Sequence, residues 1–154
     1  MDITPPTLPR TIKVTSSAFA EGGIIPARFT CKGAGPSPDL SWSGLPAGTM
    51  ALAVVVSDPD APHGTFLHWL VTGLPARDGR FPEGSALPGS LEGTNSAGQQ
   101  GWCPPCPPSG RHRYIFAVHA LDAPVRGSSS QHVINDIEAH TIAWGSLTGL
   151  VSAH

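Results

Sequence analysis

No apolar run in this sequence approaches the roughly eighteen residues that a membrane-crossing helix requires; the longest extends only from Met50 to Val56. The N-terminus shows no charged start followed by an apolar stretch, as an export leader would. A soluble protein of the cytoplasm, with no integral membrane association, is therefore expected. Cysteine is scarce as well. Three residues, Cys31, Cys103 and Cys106, are an odd number and too few for a disulfide framework, which fits a reducing compartment. Charge is sparse and nearly balanced, with nine Lys and Arg against eleven Asp and Glu. No basic block is present that could follow a phosphate backbone, so nucleic acid is excluded as the expected partner.

Glycine and proline, by contrast, are plentiful, at 18 and 17 residues, and they fall between apolar runs rather than replacing them. That pattern describes many turns in an ordered protein, not disorder. A length of 154 residues suits one domain. Residues 1–10, with Pro5, Pro6 and Pro9, read as an extended, loose arm, because proline lacks the donor that a central strand needs; residues 11–154 read as the domain. Strands are expected at Thr11 to Val14, Met50 to Val56, Phe66 to Thr72 and Tyr114 to Leu121, the second buried on both faces because its apolar run is unbroken. Val133, Ile134, Ile137, Thr141 and Trp144 share one helical stripe. Ser130 is the candidate N-cap and Gly145 the stop, for a single helix near the C-terminus. Pro75 to Gly101 lacks periodicity, as a long functional or irregular but ordered loop would.

Polar residues that follow directly on apolar strands are where a rigid scaffold aims chemistry. Three such segments stand out. In Ser57-Asp58-Pro59-Asp60-Ala61-Pro62-His63-Gly64, two prolines restrict the backbone around Asp60, although an Asx-type turn at Asp58 explains the motif equally well when it is taken alone. In Phe66-Leu67-His68-Trp69-Leu70, alternation places His68 with Phe66 and Leu70, and Trp69 on the opposite face with Leu67. A lone histidine there also reads as a hydrogen-bonded structural residue. In the segment from Gly101 to Tyr114, a proline-stiffened loop leads through Gly110 into a strand opened by His112, and such a loop can present an imidazole and backbone N–H groups to an anion.

Taken together and in order, Ser37-Pro38, Leu40-Ser41-Trp42, Asp58-Pro59-Asp60-Ala61-Pro62, His68-Trp69, Cys106-Pro107-Pro108, Gly110 and His112-Arg113-Tyr114 resemble the successive blocks of the phosphatidylethanolamine-binding protein family, in its bacterial Raf-kinase-inhibitor-like branch. The segment from Ala139 to Gly149 resembles that branch's terminal helix and strand. The resemblance implies a mainly β fold, an antiparallel Greek-key β-sandwich with a short C-terminal helix and a small pocket at one end. It implies that Asp58, His68, Cys106, Pro107, Pro108, Gly110 and His112 bind phosphate, a phosphorylated small molecule or a phospholipid head group. It also implies a kinase or protease as protein partner, and no cofactor. An ionised Asp58 would repel an anion, so its expected task is to orient His68 or His112, with contact to an ammonium group second. The sequence departs from that family's usual pattern at Lys32, at Cys103-Pro104-Pro105, and at its last residues, Val151 to His154.

Two enzymatic readings compete. Cys103 and Cys106 form a CxxC sequence, the candidate disulfide of the chain, but it opens no helix and lacks the βαβ setting of a thiol redox protein. Asp58, His68 and His112 also admit an Asp/His hydrolase or a metal-dependent enzyme. No HxH or HExxH pair supports that reading, no nucleophile is marked, and no catalytic residue is assigned. His63, His119, His132 and His140 read as surface or structural residues. Burial in a core explains the four tryptophans as well as an interface does, which leaves both monomer and homodimer open.

Overall fold

The computed structural model describes residues 1–153, so of the four closing residues only His154 lies outside it. Nine strands form two sheets: β1 (Lys13–Thr15), β2 (Gly23–Ile24), β3 (Leu40–Ser43), β4 (Ala51–Asp58), β5 (Phe66–Leu74), β6 (Gly79–Phe81), β7 (Leu91–Glu92), β8 (Arg111–Leu121) and β9 (Thr141–Ser152). The larger sheet runs β2-β9-β8-β4-β5-β7 and the smaller β1-β3-β6. Pairing is antiparallel except where β2 lies parallel to β9. The fold is a mainly β sandwich with one helix.

β4 sits at the centre, between β5 and β8, and every one of its residues is buried. Its valines divide between two apolar layers. Val54 and Val56 face the smaller sheet with Trp42, Phe81, Phe116 and Val118, while Val55 faces helix α1 (Ser130–His140) with Leu67, Leu70, Ile134 and Ile137. The unbroken apolar run at Met50 to Val56 is thus what a strand covered on both sides requires.

The helix differs from the expected one at both ends. Its N-cap is Ser129, not Ser130: the Ser129 hydroxyl accepts the backbone N–H of His132. It stops at His140, with the Thr141 hydroxyl donating to the Ile137 carbonyl, and the chain turns straight into β9. Trp144 and Gly145 therefore belong to a strand. Gly145 is not a helix stop but a point of close backbone approach, where a Cβ would lie 1.8 Å from the Ile12 carbonyl oxygen. The first strand also begins later than its alternation suggested, at Lys13.

The proline-rich arm is fastened rather than loose. Asp2 N–H donates to the Gln131 side chain, Thr4 N–H to Glu138, and the Trp144 indole donates to the Leu8 carbonyl. Ile3 packs on the helix side of the large sheet.

His119, on β8, is buried, and its Nδ1–H donates to Thr141 Oγ1, whose own proton is committed to Ile137. Burial pushes its pKa down to about 4. Below the ordinary value of about 6.5 the unfolded chain binds a proton that the folded one refuses, so stability is present above that pH and is lost as pH falls through about 4. At pH 4.5 the loss from this residue is about 2 kcal/mol. In urea unfolding at pH 7 and pH 4.5, His119→Gln is expected to show an acid penalty smaller by that amount; an unchanged penalty would exclude His119 as its source.

Candidate functional site

The C-terminal end of β4, the start of β5 and the start of β8 lie side by side, since Asp58 pairs with Phe66 and Ser57 with both Leu67 and Ile115. Their inward side chains meet at one open end of the sandwich. Here a cavity of about 450 Å³ is walled by Asp58, Phe66, His68, His112 and Tyr114 on the sheet side, and by Cys103 to Pro108, other than Pro105, on the loop side. That volume lies in the range of small-molecule sites.

Each polar group is fixed by a different device. His112 Nδ1 and Asp58 Oδ2 lie 2.6 Å apart, both residues buried. Asp58 Oδ1 accepts the Asp60 N–H at 2.8 Å, so the turn expected at Asp58 and its role in orienting a histidine hold together, and that histidine is His112. Asp60 is gripped by Arg113, through Nε at 3.0 Å, Nη2 at 2.8 Å and the backbone N–H at 2.9 Å, which pins the Asp-Pro-Asp turn to β8. This hydrogen bonding with the guanidinium holds the Asp60 pKa at about 2. Tyr114 packs edge-on against His68, with ring centroids 5.1 Å apart. Burial first, and the Asp58 charge next, push its phenol pKa well above the ordinary range.

His68 sits on a β-bulge. Val56 pairs with Trp69 and Ser57 with Leu67, leaving His68 as the extra residue. The alternation expected from the sequence breaks there. His68 turns to Tyr114 and Trp69 to Phe81, both in the layer between the sheets, while Leu67 joins Leu70 on the helix side. His68 Nδ1 donates to the Cys103 carbonyl at 2.8 Å, and the Cys103 N–H donates back to the His68 carbonyl at 2.9 Å. Burial lowers the His68 pKa, so the neutral ring is favoured, with its proton on Nδ1 and a lone pair on Nε2.

The cysteines pair differently from the expectation. Cys31 bonds Cys106 across 75 residues, with Cα atoms 5.4 Å apart, and Cys103 is a free, partly buried thiol whose pKa burial raises. The Cys103–Cys106 disulfide is excluded, and with it the CxxC redox reading. Two successive prolines favour an extended backbone between Cys103 and Cys106, in which three residues span about 9 Å, more than a disulfide bridges. The bridge instead ties the pocket loop to the chain following the short 3-10 helix Ala27–Phe29, beside a hydrogen bond from Cys31 N–H to the Pro105 carbonyl.

Of the residues anticipated from sequence, Asp58, His68, Cys106, Pro107, Pro108 and His112 surround the cavity. Gly110 lies outside the lining, in a turn with φ +66° whose carbonyl accepts the Ala153 N–H. His63 stands at the exposed rim, whereas His132 and His140 are surface residues away from it. Tyr114, Phe66 and Ser96 join the wall unanticipated, as do Met1 and the turn residues Ala61, Pro62, Gly64 and Thr65. Ser96 arrives through a loop organised by buried Asn95, whose side chain bonds Gly101 O and the N–H groups of Ala97 and Gln99; the Asn-Ser-Ala-Gly sequence was the available signal. Among the described residues no cluster of three metal-ligating side chains occurs, and no helix is long and apolar enough to cross a membrane.

A mainly antiparallel sandwich with a histidine-lined pocket at one end defines the class. The phosphatidylethanolamine-binding protein family model matches residues 15–152. The chain is 38% identical over 147 residues to a UPF0098 protein of Methanothermobacter thermautotrophicus, covering 90% of this chain and 97% of the relative. It is 37% identical over 146 residues to a UPF0098 protein of Chlamydia muridarum, with the same coverage. Its structure superposes on that of CT736 from Chlamydia trachomatis with a TM-score of 0.85 at 35% identity, over 94% of this chain and 99% of the other. It superposes on Escherichia coli YbcL, a member of the mammalian phosphatidylethanolamine-binding protein family, with 0.84 at 33% identity, over 92% and 98%. The protein belongs to the phosphatidylethanolamine-binding protein family, and is a ligand-binding protein of that type.

Proposed function

We propose that the pocket binds a small phosphate ester, free or as a phospholipid head group. The observation that carries this reading is the pair of imidazoles. His68 and His112 each commit Nδ1 to the protein, to the Cys103 carbonyl and the Asp58 carboxylate, and each Nε2 makes no hydrogen bond among the described residues while its ring lines the cavity. Two oriented rings can meet the oxygens of one phosphoryl group, accepting from a P–OH when neutral and donating to an anionic oxygen when protonated. Asp58 is given a task other than ligand contact, since one of its oxygens accepts the Asp60 N–H and the other holds His112.

The same geometry makes binding pH-dependent. The His68 ring is held neutral by burial, so donating to an anion requires it to take up a proton, and the anion in turn stabilises the charged form. Affinity for phosphoethanolamine is therefore expected to rise as pH falls from 8 to 6. Titration followed by NMR should move the His68 and His112 ring signals, and His68→Ala should weaken binding by about tenfold, or roughly 1.4 kcal/mol. Inorganic phosphate serves to separate recognition of the phosphoryl group from recognition of the ester. If neither histidine responds to either anion, the pocket has another ligand.

A further inference from the structure

A second cavity, of about 640 Å³, lies beside the first, behind the Trp69 and Trp102 side chains and under the loop that runs from Pro82 to Ser90. The two indoles meet edge to face, with centroids 5.6 Å apart. No Lys, Arg or His lines this space. What it presents is acceptors. Glu92 Oε1 takes the Trp69 indole N–H at 2.6 Å, and Glu92 Oε2 makes no hydrogen bond among the described residues. Gln100 spends its Nε2 on the Glu92 carbonyl at 3.0 Å, which leaves its amide oxygen free in the same sense. Ser37, only 3% exposed, is among the lining residues, and no described residue engages its hydroxyl.

A buried indole N–H needs one acceptor, and a backbone carbonyl would serve without bringing a charge. Trp42, Trp102 and Trp144 are each satisfied in that cheaper way, by Arg77 O, Gly35 O and Leu8 O. At Trp69 a carboxylate takes the place of the carbonyl, and partial withdrawal of a carboxylate from water is unfavourable unless its second oxygen is also met. A carboxylate oxygen, an amide oxygen and a hydroxyl beside an indole, with no competing cation, fit a ligand that is positively charged and rich in donors. Ala86, Leu87 and Pro88 on the loop supply an apolar rim for its body.

We propose that this second cavity is a binding site for a small organic ammonium ion, a protonated amine carrying a short apolar chain, with Glu92 as its counter-charge and Trp102 as its aromatic wall. The site is separate from the phosphate pocket and does not depend on the reading of that pocket.

The test is an NMR titration of the indole N–H signals with n-butylammonium, using 1-butanol and butyrate as the neutral and anionic isosteres. Saturable shifts at Trp69 and Trp102, with Trp42 and Trp144 unmoved and both isosteres silent, are expected. Glu92→Gln keeps an oxygen for the Trp69 indole and removes the charge, and should weaken binding at least about tenfold. An equal response to butanol, a response confined to His68 and His112, no response at all, or undiminished binding to a folded Glu92→Gln protein would each overturn the proposal. Should that variant fail to fold, the comparison of amine with alcohol on the wild type decides alone.

Discussion

Replacing Cys31 with serine is expected to lower the stability of the oxidised protein by about 4 kcal/mol, and its melting temperature by on the order of 10 °C. The magnitude follows from the sequence separation of 75 between the bonded cysteines: closing so long a loop in the unfolded chain removes a large conformational entropy from it. The effect should reach the pocket too. Cys106 stands in the loop that forms one wall of the first cavity, and without the bridge that loop keeps only non-covalent contacts to the chain beyond the 3-10 helix, such as Cys31 N–H to Pro105 O and the Trp102 indole to Gly35 O. Weaker phosphoethanolamine binding should therefore accompany the lost stability. Cys103→Ser is the control, expected to cost under about 1 kcal/mol because the thiol is only partly buried and its one hydrogen bond is a weak one to Pro104 O. Alkylation without reductant should label one cysteine, and that one Cys103. Equal stability of Cys31→Ser and wild type, or labelling at Cys31 or Cys106, would refute the pairing. The protein holds this stabilisation only where the bridge is oxidised, and in a thiol-reducing cytoplasm the same chain would stand without it.

The other large effect is expected at Gly145→Ala, at about 3 kcal/mol or more. The added Cβ would lie 1.8 Å from the Ile12 carbonyl oxygen and 2.7 Å from its carbon, atoms of the backbone that no rotamer change can remove. Nor can the segment easily withdraw, since Thr11 N–H and Ile12 N–H both donate to the Trp144 carbonyl, at 2.9 and 3.1 Å. Relief requires breaking those bonds and lifting Ile12, which is 4% exposed, from the layer between the sheets. Gly149→Ala is the informative comparison. Its Cβ would meet the ends of the Ile25 and Phe19 side chains, at 2.5 to 2.7 Å, which can shift, so a smaller loss is expected there. Chemical denaturation of the three proteins under one condition checks the order. A Gly145→Ala protein no less stable than Gly149→Ala would show that the crossing of Ile12 over β9 is not as close as described.

What the sequence could convey about this fold depended on how local the cause was. β4, β5 and β8 were legible because burial writes itself into consecutive residues. β6 and β7, of three and two residues, were not: Arg80 is placed by pairing with Ser41 and Leu91 by pairing with Thr72, and neither partner is near in the chain. The bulge at His68 is likewise a matter of register between strands, so strict alternation misplaced Trp69 relative to His68. Gly145 looked like a helix stop because its true constraint, Ile12, lies far away in sequence. The site was legible in its residues but not in its partners. Asp58 was narrowed to two histidines, and distance chose His112. The reach of Cys31 to the loop, and the place of Glu92 beneath Trp69, depend on long-range geometry that spacing does not encode.

The paired hydrogen bonds between His68 and Cys103 join two dipeptides whose side chains serve different cavities: His68 and Cys103 line the first, Trp69 and Trp102 the second. The two cavities thus share a partition two residues thick on each side and stiffened from within. Whatever coupling free energy one occupant exerts on the other through it is, by thermodynamic necessity, returned in equal measure.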